Sequence, residues 1–346
     1  MCCGAVRWVL IETEVPENQH EKFTLLHRAS YCGQVEVVRL IVNRGAHINI
    51  CDAKNNTAIH LAAESGNVDI IKLLLDTGMS VNLTDTQDST LLHITAEFGH
   101  LEATKALVER GAAINNTNEN GCTALMVAAL FGKFEIFYYL TEIGADINIR
   151  NAKGNNKTAL HYAAESGSVD IIKLLLDKGM SVNLTDTKGQ TPLYLSAHCG
   201  HLEATKVLVE RGAAINISTE FGASALMAAA DVGKLEIFRY LTEVGADINI
   251  HNAKGDNKTA LHYAAISGSV DIIKLLLDKG MSVNLTDTKG QTPLHFSVQF
   301  GHLEATKVLV ERGADINYTN TYGVTPHIEA VMKKKIHILS YLRNRR

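Results

Sequence analysis

The sequence predicts an all-α solenoid of helix-turn-helix units joined by extended hairpin fingers, and three observations carry that prediction. One phrase returns along the chain at a fixed step, each copy divides into two short apolar-faced stretches and a finger, and the last copy departs from the others as the end of a stack should. The phrase Thr57-Ala58-Ile59-His60-Leu61-Ala62-Ala63 recurs from Thr90, Thr123, Thr158, Thr191, Ser224, Thr259 and Thr292, with variants at Thr24 and Thr325. The step is 33 residues, or 35 where Gly154-Asn155-Asn156-Lys157 or Gly255-Asp256-Asn257-Lys258 lengthens the junction.

The unit 158–190 shows why each part takes its shape. Thr158 is a helix N-cap, because its hydroxyl can accept a bond from an amide that the first turn leaves unpaired. In other copies Pro192, Pro293 and Pro326 follow that residue, at the helical position where a missing N–H costs least. Leu160, Ala163 and Ala164 recur at helical spacing, and the alanines let neighbouring helices approach closely. Gly167 ends this first helix with a left-handed residue. Val169, Ile172, Leu175 and Leu176 then form the apolar stripe of a second helix opposite Asp170, Lys173 and Asp177, and Gly179 ends it. Val182 to Asp186 alternates apolar and polar residues, and Lys188-Gly189-Gln190 supplies turn chemistry, which predicts an extended finger that reverses direction.

Two helices of this length cannot bury their apolar faces alone, so neighbours must cover them. The expected organisation is an N-terminal segment 1–23 and nine repeats (24–56, 57–89, 90–122, 123–157, 158–190, 191–223, 224–258, 259–291, 292–324), with a basic C-terminal capping repeat 325–346. In the last repeat Lys334 replaces the inter-helix glycine and His327 the leucine. A polar last unit is expected to shield the final apolar face, and Trp8, Val9 and Leu10 are expected to shield the other end.

The T-x-L-H-x-A-A phrase, the interior glycine, the L-L-x-x-G helix end and the G-A-D-I-N start of the finger resemble the ankyrin repeat over residues 24–346. The resemblance implies L-shaped units whose fingers and first helices line a concave groove, and a role in protein binding without catalysis or cofactor. Met126, Tyr194 and Met227 depart from the pattern by replacing the histidine, so the local bond that residue makes should be absent there.

Composition agrees with a soluble folded protein and argues against other classes. Lys plus Arg (33) nearly balance Asp plus Glu (37), and the net charge of −4 supplies no general field to gather nucleic acid or anionic lipid. Cys2, Cys3, Cys32, Cys51, Cys122 and Cys199 show neither C-x-x-C pairs nor regular spacing, so no metal site or disulfide framework is expected. The apolar run Ala5 to Ile11 is too short to span a bilayer, carries Arg7 and lacks a signal-peptide cleavage site. These features point to a reducing compartment, the cytoplasm or the nucleus. Cys2-Cys3 beside an apolar stretch is a weak lipidation signal.

Candidate binding residues come from comparing the chain with itself. The unit at Thr158 returns at Thr259, which reveals a larger period of 101 residues. Residues 158–190 and 259–291 differ only in Glu165 against Ile266. In the next pair His201–Ala213 equals His302–Ala314, while Tyr194, Leu195, Ala197, His198 and Cys199 have become His295, Phe296, Val298, Gln299 and Phe300. The third pair changes Leu130 and Phe131 to Asp231 and Val232, and Tyr138 to Arg239. Change therefore gathers near the end of the first helix, where Tyr31, Phe98, Leu130, Phe131, Glu165, His198, Val232, Ile266 and Phe300 form the expected partner-binding set on the concave face. Aromatic side chains here would be the anchors. The competing readings are drift at solvated positions and burial of these rings between first helices. Fingertip residues such as Lys153, Lys188, Lys254 and Lys289 would add a polar rim.

No enzyme is expected, because His27, His60, His93, His161, His262 and His295 recur in register whereas an active site gathers unlike groups at one place. His100, His201 and His302 recur in the same way at the second-helix start. No catalytic residue, cofactor, metal or small-molecule substrate is indicated. The expected partner is a protein, held by a scaffold, a recruiting adaptor or an inhibitory subunit. A nuclear or nucleic-acid role rests only on Lys333-Lys334-Lys335 and Arg343, Arg345 and Arg346, and the interleaved Ile336, Ile338, Leu339 and Leu342 favour a packed capping helix instead.

Overall fold

The structure, a computed structural model, describes residues 24–345. The segment bearing Cys2, Cys3, Trp8, Val9 and Leu10, and the terminal Arg346, lie outside the described residues. Those described form two compact units, one up to Ala159 and one from Leu160.

The first unit contains α1 (Leu25–Tyr31), α2 (Val35–Asn43), α3 (Ala58–Ser65), α4 (Val68–Asp76), α5 (Leu91–Phe98), α6 (Leu101–Glu109), α7 (Ala124–Leu130) and α8 (Phe134–Glu142). The second begins with α9 (Ala159–Ser166), α10 (Val169–Asp177), α11 (Pro192–Cys199), α12 (Leu202–Glu210), α13 (Ala225–Asp231) and α14 (Leu235–Glu243). It continues with α15 (Ala260–Ser267), α16 (Val270–Asp278), α17 (Pro293–Phe300), α18 (Leu303–Glu311), α19 (Pro326–Met332) and α20 (Ile336–Arg343). In the first unit each odd helix packs on its own even partner, as do α11 and α12, α13 and α14, α15 and α16, α17 and α18, and α19 and α20 in the second, and like helices of neighbouring repeats pack on each other, as α1 on α3 and α11 on α13. Each unit is thus a helix-turn-helix stack, as the sequence predicts.

First helices start where the phrase places them. Thr57 caps α3 by accepting the His60 amide, and His60 Nδ1 accepts the Thr57 amide at 3.1 Å. The same box closes at Thr24, Thr90, Thr259 and Thr292. Several imidazoles reach further: the Nε2 of His93 donates to the Cys122 carbonyl (2.8 Å) and that of His295 to the Val324 carbonyl (3.1 Å), tying helix to finger base. At Met126, Tyr194 and Met227 only the forward half of the cap survives, from Thr123, Thr191 and Ser224. The methionine thioether is only a weak acceptor and returns no such bond.

The second helices differ from the expected stripe. In α10 the buried residues are Ile171, Ile172 and Leu175, while Val169 and Leu176 are half-buried. A helix inside a stack is covered on its flanks as well as from below, so its buried arc is displaced relative to that of a simple surface helix. Side chains such as Ile59, Ile71, Leu74, Leu91 and Leu107 are fully buried. Each contributes about 1.5–3 kcal/mol by leaving water.

The fingers are turns built around one acidic or amide side chain. Asp85 Oδ1 accepts the amides of Gln87 and Ser89, both at 2.8 Å, and Asp186, Asp287, Asn118 and Asn320 repeat the arrangement. Isolated antiparallel bridges close several finger bases, as between Thr84 and Thr90. Backbone bonds such as Glu119 N–H to the Gln87 carbonyl (2.8 Å) link one finger to the next.

The last repeat keeps the fold with a strained junction, since Lys334 takes the left-handed conformation (φ 54°) that glycine holds elsewhere. Its surface is not the wholly polar shield expected. Ile328, Val331, Met332 and Ile336 stand exposed among Lys333, Lys334 and Lys335. Position 331 corresponds to Ala63 and Ala265, both of which are completely buried. The repeat retains stacking residues even where its polar substitutions accumulate.

Candidate functional site

In all but the last repeat the first helix ends in a glycine whose φ is positive, and the residues just before it decide what each repeat displays. Tyr31, Phe98, Phe131 and Phe300 keep between 45% and 51% of their surface in contact with solvent, and Leu130 is also exposed. Burial between first helices is therefore not their condition. Val232, Ile266 and Glu165 are half-buried and His198 is exposed.

What orients this ridge is a set of histidines whose purpose the sequence did not disclose. His100, at the start of α6, lays its ring over Gly66 of the preceding repeat and donates from Nε2 to the Glu64 carbonyl at 2.8 Å. His201 does the same over Gly167 to the Glu165 carbonyl, and His302 over Gly268 to the Ile266 carbonyl, each at 2.8 Å. A β-carbon at Gly167 or Gly268 would stand 2.5 Å from the imidazole Nδ1, so only glycine admits the ring. The rings then serve as platforms. Phe98 stacks on His100 with centroids 6.3 Å apart and planes 8° from parallel, and Phe300 on His302 at 6.5 Å and 16°. Ile266 and Phe300 are thereby brought to one clamp, although they belong to different repeats. Tyr31 and Phe98 are not paired in this way, with the repeat 57–89 standing between them.

At the other junctions the covering group changes. Lys133, Lys234 and Lys335 lie over Gly99, Gly200 and Gly301, while Asn67 and Ser269 stand over Gly33 and Gly233. This order of small polar residue, histidine and lysine repeats with the larger period.

The second unit adds a polar cluster that sequence comparison did not single out. Asp231 is half-buried, and burial raises its pKa against the pull of His198 and Lys258. Burial and the nearby Asp231 carboxylate push the Tyr263 phenol up to about 12, and the same two causes raise Tyr194. Tyr263 Oη accepts from Asn252 Nδ2 at 3.1 Å. Lys258 joins Asp256 at 2.7 Å and lies 5.1 Å from the Phe296 ring centroid. In the first unit Glu97 is raised by burial and then by Glu64. The two units thus carry unlike ridges, one mostly aromatic and aliphatic, the other mixed with tyrosine and carboxylate. Among the described residues no group of three or more His, Cys, Asp and Glu side chains could hold a metal ion. Nor is any described helix long and apolar enough to cross a membrane.

Comparison with known proteins agrees with this geometry. A family model described as ankyrin repeats (3 copies) matches residues 2–85, 78–151, 149–219, 208–287, 226–320 and 282–345. The chain belongs to the ankyrin-repeat family. Ankyrin repeats are in general protein-interaction modules and typically non-enzymatic. The chain is also similar to a putative ankyrin repeat protein of fowlpox virus (strain NVSL), 48% identical over 42 residues. That match covers 12% of this chain and 30% of the viral protein.

Proposed function

We propose that this ankyrin-repeat chain is a non-enzymatic scaffold that binds a partner protein along its first-helix ridge, the side that the family resemblance makes concave. The observation that carries the reading is the set of large apolar side chains held exposed at the helix ends, with Phe98 and Phe300 propped on imidazole platforms. A ring that is already oriented loses little freedom on binding, which favours its use as an anchor. Grouped exposed apolar residues of this kind mark interaction surfaces. Tyr31, Phe98, Leu130 and Phe131 would make the apolar contacts in the first unit. Glu165, His198, Val232, Ile266 and Phe300 would make more mixed contacts in the second. A standard interface of about 1,600 Å² needs only four or five such repeats.

The recurrent histidines support a binding role over a catalytic one, because those at 27, 60, 93, 262 and 295 are engaged in capping and those at 100, 201 and 302 in clamping. Capture from a cell lysate by the intact chain, repeated with Phe98→Ala and Phe131→Ala, tests the proposal. Loss of the captured protein with an unchanged melting temperature is expected. Retention of the same protein by both variants would sink it. An adaptor or inhibitory subunit would share this surface and differ in what accompanies the captured protein.

A further inference from the structure

A second surface lies on the other set of helices. Between α6 and α8 in the first unit, Leu101, Lys105, Phe134, Glu135, Tyr138, Tyr139 and Glu142 line an open groove of about 370 Å³. Tyr138 is 47% exposed, and its ring lies 6.1 Å from that of Phe134, tilted by 36°. The walls are aromatic and aliphatic, and the rim is acidic. Glu135 and Glu142 belong to the lining, while Glu102 and Glu109 are close enough to Tyr139 to act on its hydroxyl. Lys105 is the one cation in the lining, and it is held by Glu102 at 2.7 Å.

The duplicated block supplies a comparison. Leu202, Lys206, Glu236, Tyr240 and Glu243 stand at the positions of Leu101, Lys105, Glu135, Tyr139 and Glu142, so the frame and the carboxylates are retained. Two residues are not: Phe134 has become Leu235, and Tyr138 has become Arg239. The copy therefore carries its own guanidinium at the place where the original holds an open aromatic face between the same acids. Aromatic faces attract cations through the ring quadrupole, arginine most often, and carboxylates at the rim add a complementary charge.

We infer that the groove between α6 and α8 docks a basic amphipathic helix of a partner protein, whose apolar side chain enters between Leu101, Phe134 and Tyr138 and whose arginine stacks on the tyrosines beneath the glutamates. The partner lies as a helix in a groove, with contacts at one-turn spacing. This surface is made by second helices and does not depend on the ridge of first helices.

The probe is a fluorescein-labelled amphipathic peptide of about five helical turns with a leucine stripe flanked by arginines, beside the same peptide with glutamate for arginine. Anisotropy with the full chain should show saturable binding of the basic peptide, weakened by salt, and none of the acidic one. The double variant Phe134→Leu, Tyr138→Arg should weaken binding by about tenfold or more. It should keep its helical circular dichroism, since the chain already bears both residues in that frame. The reciprocal variant Leu235→Phe, Arg239→Tyr should create a second site and double the stoichiometry. Absence of binding by the basic peptide, equal binding of the acidic peptide, an unchanged affinity in the double variant or an unchanged stoichiometry in the reciprocal one would each overturn the inference.

Discussion

Mild acid should loosen the repeat that contains His262, by an amount that follows from its surroundings. The Thr259 amide donates to Nδ1 at 3.1 Å, and an amide can only donate, so Nδ1 carries no proton. Nε2–H then donates to the carbonyls of Leu285 (3.1 Å) and Gln291 (3.2 Å). Burial is the chief cause that lowers the pKa to about 4, with Asp287 and the two carbonyls pulling it up and Lys258 adding to the depression. An unfolded chain binds the proton near the ordinary value of 6.5, whereas the folded one binds it near about 4. The protonated form therefore favours unfolding. The contribution is fully present above about pH 6.5 and is lost progressively as pH falls towards about 4.

At about pH 5 the proton-binding difference costs roughly 2 kcal/mol from His262 alone, and roughly 3 kcal/mol once pH is below both values. His60, His93 and His295 are lowered for the same chief cause, burial, so their losses have the same sign. Amide hydrogen exchange in α15 and α17, corrected for intrinsic rates, reads the local opening free energy at about pH 7 and about pH 5. His262→Met is the informative variant, because Met126 and Met227 occupy the equivalent place in other repeats. It should be less stable than the parent at neutral pH, having lost the returned cap, and should show a pH difference smaller by roughly 2 kcal/mol. An α15 opening free energy that is unchanged or higher in acid would refute the reasoning.

Three other changes have defined outcomes. Gly66→Ala forces both a left-handed alanine (φ 73° at present) and a collision with the His100 ring, and should cost roughly 2 kcal/mol or more in urea unfolding. Lys334→Gly removes a left-handed non-glycine residue and should stabilise the last repeat by roughly 1 kcal/mol, visible as slower hydrogen exchange in α19 and α20. Arg211→Ala breaks an exposed pair with Asp177 (2.7 Å), and its effect should stay within about 1 kcal/mol and shrink further in high salt. A large, salt-resistant loss there would mean that the arginine stem, not its charge, is holding the repeats together.

Much of this architecture can be read from the chain because its signals are local. Threonine followed three residues later by histidine is a capping box in miniature, and both partners lie within one turn. The ridge was partly legible too, since duplicated blocks display their own substitutions at Glu165 and Ile266 or at Cys199 and Phe300. What escaped was everything that requires two repeats to be placed side by side. His100 meets Gly66, in the repeat before its own, and nothing within one repeat connects them. The recurrence of histidine at 100, 201 and 302 was the available signal, and it read as helix-start periodicity only. Asp231 gains its meaning from Tyr194 and Tyr263, which neighbouring first helices bring within electrostatic reach. The burial of Ile171 likewise depends on flanking helices that an isolated stripe leaves out.

The rotation of cap residues over successive glycines restricts how such a chain can lengthen or shorten. Removing residues 191–291 would set His302 where His201 now faces Gly167, imidazole replacing imidazole. Removing the single repeat 191–223 would instead set Lys234 there, and the carbonyl of Glu165 would lose its imidazole donor. Deletion of a three-repeat block therefore keeps the same kind of cap over Gly167, while deletion of a single repeat exchanges it for another.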